Sequence, residues 1–522
     1  MDYSRKHTQR LDEIFSYSKQ NFSEGEERIT VHAAVSRFAF FYEKIRNLVD
    51  YKDEHLIRKA AVLRILKRLL ILEQDSRQIA EQLIRELIAA RYLPNGQIPV
   101  SLIDDIAWRV YKLQLVQHVA AGDDQHLDWL RAMVSVEIEE ALVASAKEKA
   151  LINFLFDRVR RSVKVTRANL DESDLQLQLY VACFRTLYKA DDEIVGFKLL
   201  RAFLPEWMSP QGWMDNPRPV AERLVAVERR INLQLKHPLA QRFQRAVKPW
   251  AVALNMLVQA IDRKPEDRGA IGKRDAMRAL VSSQAEERYG TTKTRVRRAT
   301  VRAMVYLFAT KMVLALILEG PVEWVLYRNI HIPALMVNLL FPATLMFVVG
   351  QFIKVPGADN TDRVLKALDE LMGDETPSTL TIVAPVRRSA LAATALGLTY
   401  LLTFVVTFGG IYFALEALSF TWISTLLFLF FLCLVSFFAY RIRMSAREYT
   451  VIENKVTLWT SFVDFFSIPI LSAGRWLSRN ISRINIFLFF FDFIFEAPYK
   501  YFLSLLEEWF IFAKEKKDEL QP

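Results

Sequence analysis

Residues 389–440 read SALAATALGLTYLLTFVVTFGGIYFALEALSFTWISTLLFLFFLCLVSFFAY, and they contain one charged side chain, Glu416. A helix needs about 20 mainly apolar residues to cross the hydrocarbon core of a bilayer. This stretch is long enough for two such helices, over residues 389–415 and 420–440, with a short turn between them. The sequence therefore predicts a transmembrane hairpin at this point.

A second apolar pair precedes the hairpin, with spans predicted at about residues 303–327 and 331–353. Lys311 lies inside the first of these spans, and Glu319 follows its most apolar part. The second contains Asn338 and two prolines, which spanning helices tolerate when neighbouring groups satisfy the backbone. We therefore predict an all-α integral membrane protein with a four-helix transmembrane domain.

Basic residues indicate the orientation of the predicted spans, because cytoplasmic loops carry an excess of Lys and Arg. They flank the spans at three places: Arg295, Arg297, Arg298 and Arg302; Lys354, Arg387 and Arg388; Arg441, Arg443 and Arg447. The two remaining loops are short and poor in positive charge. The pattern predicts both termini in the cytoplasm, in a bacterial-type inner membrane, and a cytoplasmic loop at 354–388 that carries an amphipathic helix.

The positive charge of the chain is concentrated in one region. The 522 residues include 69 Lys and Arg against 59 Asp and Glu, a net charge of +10. Residues 221–300 hold 18 basic and 8 acidic side chains, and the regions on either side are balanced. We interpret the block as a collar beside the anionic inner leaflet, in preference to an acidic protein partner or nucleic acid. Its candidate lipid-binding residues are Arg274, Arg278, Lys293, Arg295, Arg297, Arg298 and Arg302.

The soluble and tail regions are also predicted to be helical. Apolar residues recur at helical spacing through residues 1–204, which predicts a cytoplasmic all-helical domain. A Pro-rich break then leads into basic juxtamembrane helices over 205–298. Residues 441–522 are rich in Phe and predict amphipathic helices that lie in the membrane interface. A re-entrant hairpin, a fifth spanning element or packing on the soluble domain remain alternatives for this tail.

The sequence gives few signals of catalytic chemistry. It contains no nucleotide-binding glycine loop and no HExxH pattern, and two cysteines exclude a disulfide framework. We therefore predict no cofactor or metal and favour a non-enzymatic protein. Candidate polar sites are the intramembrane Lys311 and Asn338 and the tail carboxylates Asp464, Asp492 and Glu496. Ser389, Ala393 and Gly397 recur every four residues, which is typical of close helix packing in membranes.

Three functional hypotheses follow. The favoured one is a membrane-anchored scaffold or partner-binding protein, with a protein partner or a second copy of the chain as its partner. The second is a transporter or channel subunit that acts as an oligomer through Lys311, Asn338 and the Thr399, Thr403 and Thr407 face. The third is a membrane-embedded enzyme that uses Asp464, Asp492 or Glu496.

Overall fold

The computed structural model describes residues 3–17, 26–32, 36–37, 39–40, 43, 54–119, 124–143, 146–166, 170–327, 332–384, 389–451, 465–476 and 509. About 81% of these residues are helical with almost no strand, which confirms the prediction of an all-α fold. The chain divides into two compact units. Unit 1 comprises Met1–Ala251, Glu370–Ala384 and Phe489–Pro522, and unit 2 comprises Val252–Asp369 and Pro385–Leu488.

Unit 1 is built mainly from helices of 12 to 24 residues. They are α1 (Arg5–Ser16), α2 (Glu54–Leu72), α3 (Ser76–Ala89), α4 (Ser101–Val119), α5 (Asp124–Leu142), α6 (Ala146–Val159), α7 (Glu172–Leu187), α8 (Asp192–Phe203), α9 (Arg218–Leu235) and α10 (Ala240–Arg263), which continues into unit 2. Every residue from Ala132 to Glu139 in α5 is buried, so α5 is the central helix of this unit.

Three glutamates of α5 are each paired with a cation from another helix. Lys112 of α4 donates to Glu137 at 2.7 Å, and Arg58 of α2 donates to Glu139 at 2.6 Å. Glu140 pairs with Lys198 of α8. Burial lowers the pKa of Lys112 and raises that of Glu139 against the opposing effect of their partners. Because an unpaired buried charge is strongly destabilising, these pairs determine which helices can face α5.

The first Pro-rich segment of the predicted domain break lies inside unit 1. Pro205–Met208 forms a 3₁₀ turn whose Trp207 is fully buried. Its indole Nε1 donates to Glu137 at 3.0 Å, and the Lys112 ammonium lies 4.2 Å from the centre of its ring. Unit 1 continues through this turn to Ala251.

Residues 370–384 also belong to unit 1. Strand β2 (Leu380–Val383) pairs in parallel with β1 (Val163–Thr166), so that Val163 lies opposite Leu380. The Arg158 guanidinium donates to the carbonyl oxygens of Glu370, Leu371, Gly373 and Glu375 at 2.8–2.9 Å. One buried arginine therefore satisfies the end of a helix and the turn that follows it.

Unit 2 contains the long apolar helices. Its elements are α11 (Arg274–Leu314), a π turn (Ala315–Glu319), α12 (Gly320–Tyr327), α13 (Ile332–Gln351), α14 (Ala358–Met372, which ends in unit 1), α15 (Ala390–Ala417), α16 (Trp422–Ala446) and helical residues 465–476. Three helices are long and apolar enough to cross a membrane: Arg274–Val322, Ala390–Ala417 and Trp422–Ala446. A shorter apolar helix covers Leu335–Gln351, within the predicted second span.

Close backbone approach joins several helices of unit 2. A Cβ at Gly350 of α13 would lie 2.3 Å from Thr300 Cγ2 on α11, and one at Gly474 would lie 2.6 Å from the Cys433 carbonyl oxygen of α16. Glycine at both positions permits the tight packing that membrane helices favour. The predicted interfacial tail therefore includes a helix, residues 465–476, that packs on α16.

We expect the substitution Arg158→Lys to loosen residues 380–383. Lysine cannot reproduce the planar set of donors that reaches four carbonyl groups, and charged hydrogen bonds are worth about 1.5–3 kcal/mol each. Hydrogen exchange of the β2 amides in the full chain should accelerate about tenfold or more. The exposed Arg161→Lys is the matched control, and equal exchange in both variants would contradict the role given to Arg158.

Candidate functional site

The most distinctive polar group of unit 2 is an ion pair between Lys311 and Glu319. The Lys311 ammonium lies 3.1 Å from Glu319 Oε2, and both side chains are fully buried. The ammonium also lies 5.3 Å from the centre of the Phe431 ring, which adds a cation–π contact. The Lys311 side chain therefore lies in the interior of unit 2 and not at its surface.

The π turn between α11 and α12 brings these two side chains onto one face. Successive residues of an α-helix are rotated by about 100°, so residues eight apart are displaced by about 80°. A π turn accommodates one extra residue, so the rotation between Lys311 and Glu319 is smaller by about 100°. The two side chains are then only about 20° apart around the helix axis. The Gly320 N–H donates to the Ala315 carbonyl and closes the turn. Glu319 consequently points into the interior beside Lys311.

Two other helices contribute donors to the same carboxylate. Asn338 Nδ2 of α13 and Ser424 Oγ of α16 both donate to Glu319 Oε1. Asn338 Nδ2 also donates to the Ser424 carbonyl at 3.4 Å. Both of these partners are acceptors, which fixes the orientation of the amide. Asn338 Oδ1 is buried and has no hydrogen-bond partner among the described residues.

These four residues, Lys311, Glu319, Asn338 and Ser424, form what we call the Glu319 cluster. One ionised carboxylate accepts hydrogen bonds from three donors, and two of them come from other helices. Neutralisation of the carboxylate would weaken all three hydrogen bonds and remove the buried ion pair with Lys311. The cluster therefore links α11, α13 and α16 through a single carboxylate.

The predicted basic residues divide into two sets. Arg274 and Arg278 both pair with Asp369, at 2.9 and 2.5 Å. The other five are exposed along α11: Lys293, Arg295, Arg297, Arg298 and Arg302. Only the second set presents unshielded positive charge beside the first apolar span.

The predicted small-residue row lies on an exposed part of α15. Ser389, Ala393 and Gly397 are exposed, and nothing lies within 4 Å of a Cβ built on Gly397. Thr399 is exposed as well, whereas Thr403 and Thr407 are buried. Of the three predicted threonines, only Thr403 and Thr407 therefore face the interior of unit 2.

Asp464, Asp492 and Glu496 lie outside the described residues. Within the described ranges, no three His, Cys, Asp or Glu side chains come together as a metal ion would require. The polar residues that the structure brings together are thus two that the sequence singled out, Lys311 and Asn338, and two that it did not, Glu319 and Ser424.

We expect Glu319→Gln to destabilise the protein strongly, because it removes the buried ion pair with Lys311 and weakens the hydrogen bonds that Asn338 and Ser424 donate. Removal of one partner of a buried ion pair costs about 3–5 kcal/mol, and the double variant Lys311→Met with Glu319→Gln should recover most of this loss. Thermal unfolding of the full chain in detergent micelles measures both. Glu287→Gln, which breaks the exposed ion pair between Glu287 of α11 and Arg263 of α10, should leave the melting temperature unchanged.

Comparison of the chain with models of known protein families, with curated proteins and with solved structures finds no match. The function has therefore to be inferred from the side chains and their contacts.

Proposed function

We propose that the chain is a four-span membrane protein in which the Glu319 cluster couples protonation of a carboxylate to the packing of the spans, as in a proton-coupled transporter or channel subunit. The observation that carries this proposal is the bonding of Glu319 to Lys311, Asn338 and Ser424. Ionisable groups inside membranes are costly, and they are typical of ion pathways and proton relays.

A protonated Glu319 has a ready acceptor. Asn338 Oδ1, which has no hydrogen-bond partner among the described residues, can accept a hydrogen bond from the carboxyl O–H if the side-chain amide flips by 180°. That rotation withdraws the Asn338 donor from both Glu319 and the Ser424 carbonyl, and so it weakens the link between α13 and α16. The cluster then has two hydrogen-bonded arrangements that differ by one proton, which is the bistable element that a switch requires.

The four-span topology is supported by Asn360, in the segment between α13 and α15. Its amide Nδ2 donates to the Tyr289 hydroxyl at 2.7 Å and to the Tyr449 carbonyl at 2.9 Å, and its Oδ1 accepts from the Val451 N–H at 2.7 Å. Segments joined by hydrogen bonds at the ends of spans must lie on one side of a membrane. These bonds therefore favour an even number of crossings between Tyr289 and Asn360, and between Asn360 and Tyr449.

This condition favours α13 as the return span of the first hairpin. The helix Arg274–Val322 is long and apolar enough to cross once, so the proposed topology needs a second crossing before Asn360. Ile332–Gln351 has 20 residues and a length of about 30 Å, which equals the thickness of the hydrocarbon core. The basic residues around the same segments favour the cytoplasmic side for both termini.

A pathway through four spans with few polar groups requires more than one copy of the chain. The exposed row of Ser389, Ala393 and Gly397 on α15 is the face that we expect to contact a second copy, because small residues allow close helix approach. The five exposed basic residues of α11 would lie against anionic lipid. Each of them would contribute about 1 kcal/mol to the free energy of membrane binding.

A membrane-anchored partner-binding protein is the second candidate function. It is favoured by the construction of unit 1, which takes in both Met1–Ala251 and Glu370–Ala384. Unit 1 is large enough to have its own hydrophobic core, which a segment that only anchors a protein does not need. Its segment Glu370–Ala384 lies in the sequence between the two predicted hairpins. A partner bound to unit 1 could thereby act on the spans.

Proton flux into liposomes tests the favoured function. With an internal pH-sensitive dye, the reconstituted wild type should acidify the lumen when an inward proton gradient is applied. The Lys311→Met, Glu319→Gln double variant should lose at least about tenfold in rate while it remains folded, and Glu287→Gln should match the wild type. No flux in any of the three proteins would refute the proposal.

The topology has its own test. Reporter fusions after residues 298, 325, 370, 417 and 450 should report cytoplasm, outside, cytoplasm, outside and cytoplasm. An outside signal at residue 370 would contradict both the four-span topology and the even-crossing condition at Asn360.

A further inference from the structure

Residues 27–31 of unit 1 run antiparallel to residues 95–100 and are hydrogen-bonded to them. The Ile29 N–H donates to the Ile98 carbonyl and the Val100 N–H to the Glu27 carbonyl, both at 2.9 Å. The Asn95 side chain completes the pairing through both backbone groups of Val31, also at 2.9 Å. An antiparallel bridge joins Arg28 to Pro99.

This pairing uses only one edge of the segment. In an extended strand, the backbone groups of alternate residues point to opposite edges. Residues 27, 29 and 31 bond to the 95–100 side, so the N–H and C=O groups of Arg28 and Thr30 point to the other edge. Within the described part of the chain, these four groups have no hydrogen-bond partner.

A cleft of about 720 Å³ lies beside this segment. Residues 27–32 line it together with the first turns of α3. The charges in its wall are balanced, and several are already paired: Arg85 with Glu81 at 2.9 Å, and Arg77 with Asp104 at 3.2 Å. Recognition here would therefore depend on main-chain hydrogen bonds more than on the net charge of a ligand.

We infer that the edge formed by Arg28 and Thr30 binds an extended peptide of a partner protein by strand addition. Free donors and acceptors at alternate residues match the spacing of a second strand, and such edges are used to capture extended peptides. The exposed side chains of Arg28 and Thr30 would contact alternate residues of that peptide. The inference rests on the partner-binding candidate function and does not depend on proton coupling.

The sharpest test removes the Thr30 N–H alone. Thr30→Pro deletes a donor that no described group accepts, and proline is tolerated on the free edge of a strand. Thr30→Val is the matched control, because it keeps the N–H in an extended residue. The probe is a displayed library of random linear peptides, selected against the full chain in lipid nanodiscs, with the affinity of the enriched peptides then measured on each variant.

We expect enriched peptides to bind Thr30→Pro at least about tenfold more weakly than wild type, and Thr30→Val within about threefold. N-methylation of alternate peptide residues should abolish binding, which tests the main-chain bonds even if Thr30→Pro lowers stability. Peptides that bind all variants equally would refute the edge site and leave partner binding at another surface. Failure to enrich any peptide would count against both.

Discussion

A buried charge must find a partner of opposite charge, and this constraint organises both units. In unit 1 it acts through α5, whose successive glutamates Glu137, Glu139 and Glu140 each pair with a cation on another helix. In unit 2 it acts through Glu319, which holds Lys311 and two neutral donors. Removal of one charge from a buried pair such as Lys112–Glu137 breaks a contact that water replaces poorly.

The two units use this constraint for different ends. The ion pairs of α5 involve helices that are fixed by many apolar contacts, and burial of these charges specifies which helices are neighbours. The Glu319 cluster lies between apolar helices, where small residues and interhelical hydrogen bonds determine the packing. The hydrogen bonds that Asn338 and Ser424 donate to Glu319 contribute to this specificity, and we propose that a single proton on Glu319 changes it.

The sequence predicted the helical fold, the apolar segments and two members of the cluster, because a Lys and an Asn within apolar stretches are conspicuous. It did not reveal Glu319, which α-helical periodicity places on a different face from Lys311. The π turn that rotates Glu319 onto the same face as Lys311 has no signature that can be recognised in a single sequence. Ser424 was missed because a serine near the start of a span is common. Strand β1 was missed because four residues are too few to show the alternation of apolar and polar residues that indicates a strand.

Infrared difference spectroscopy of the reconstituted protein tests the coupling most directly. Acidification should convert an ionised carboxylate to a carboxylic acid whose band is absent in Glu319→Gln, and the distance between spin labels on α13 and α16 should change over the same pH range. A Glu319 carboxylate that titrates without any change in that distance, or that stays ionised until the protein unfolds, would contradict the account.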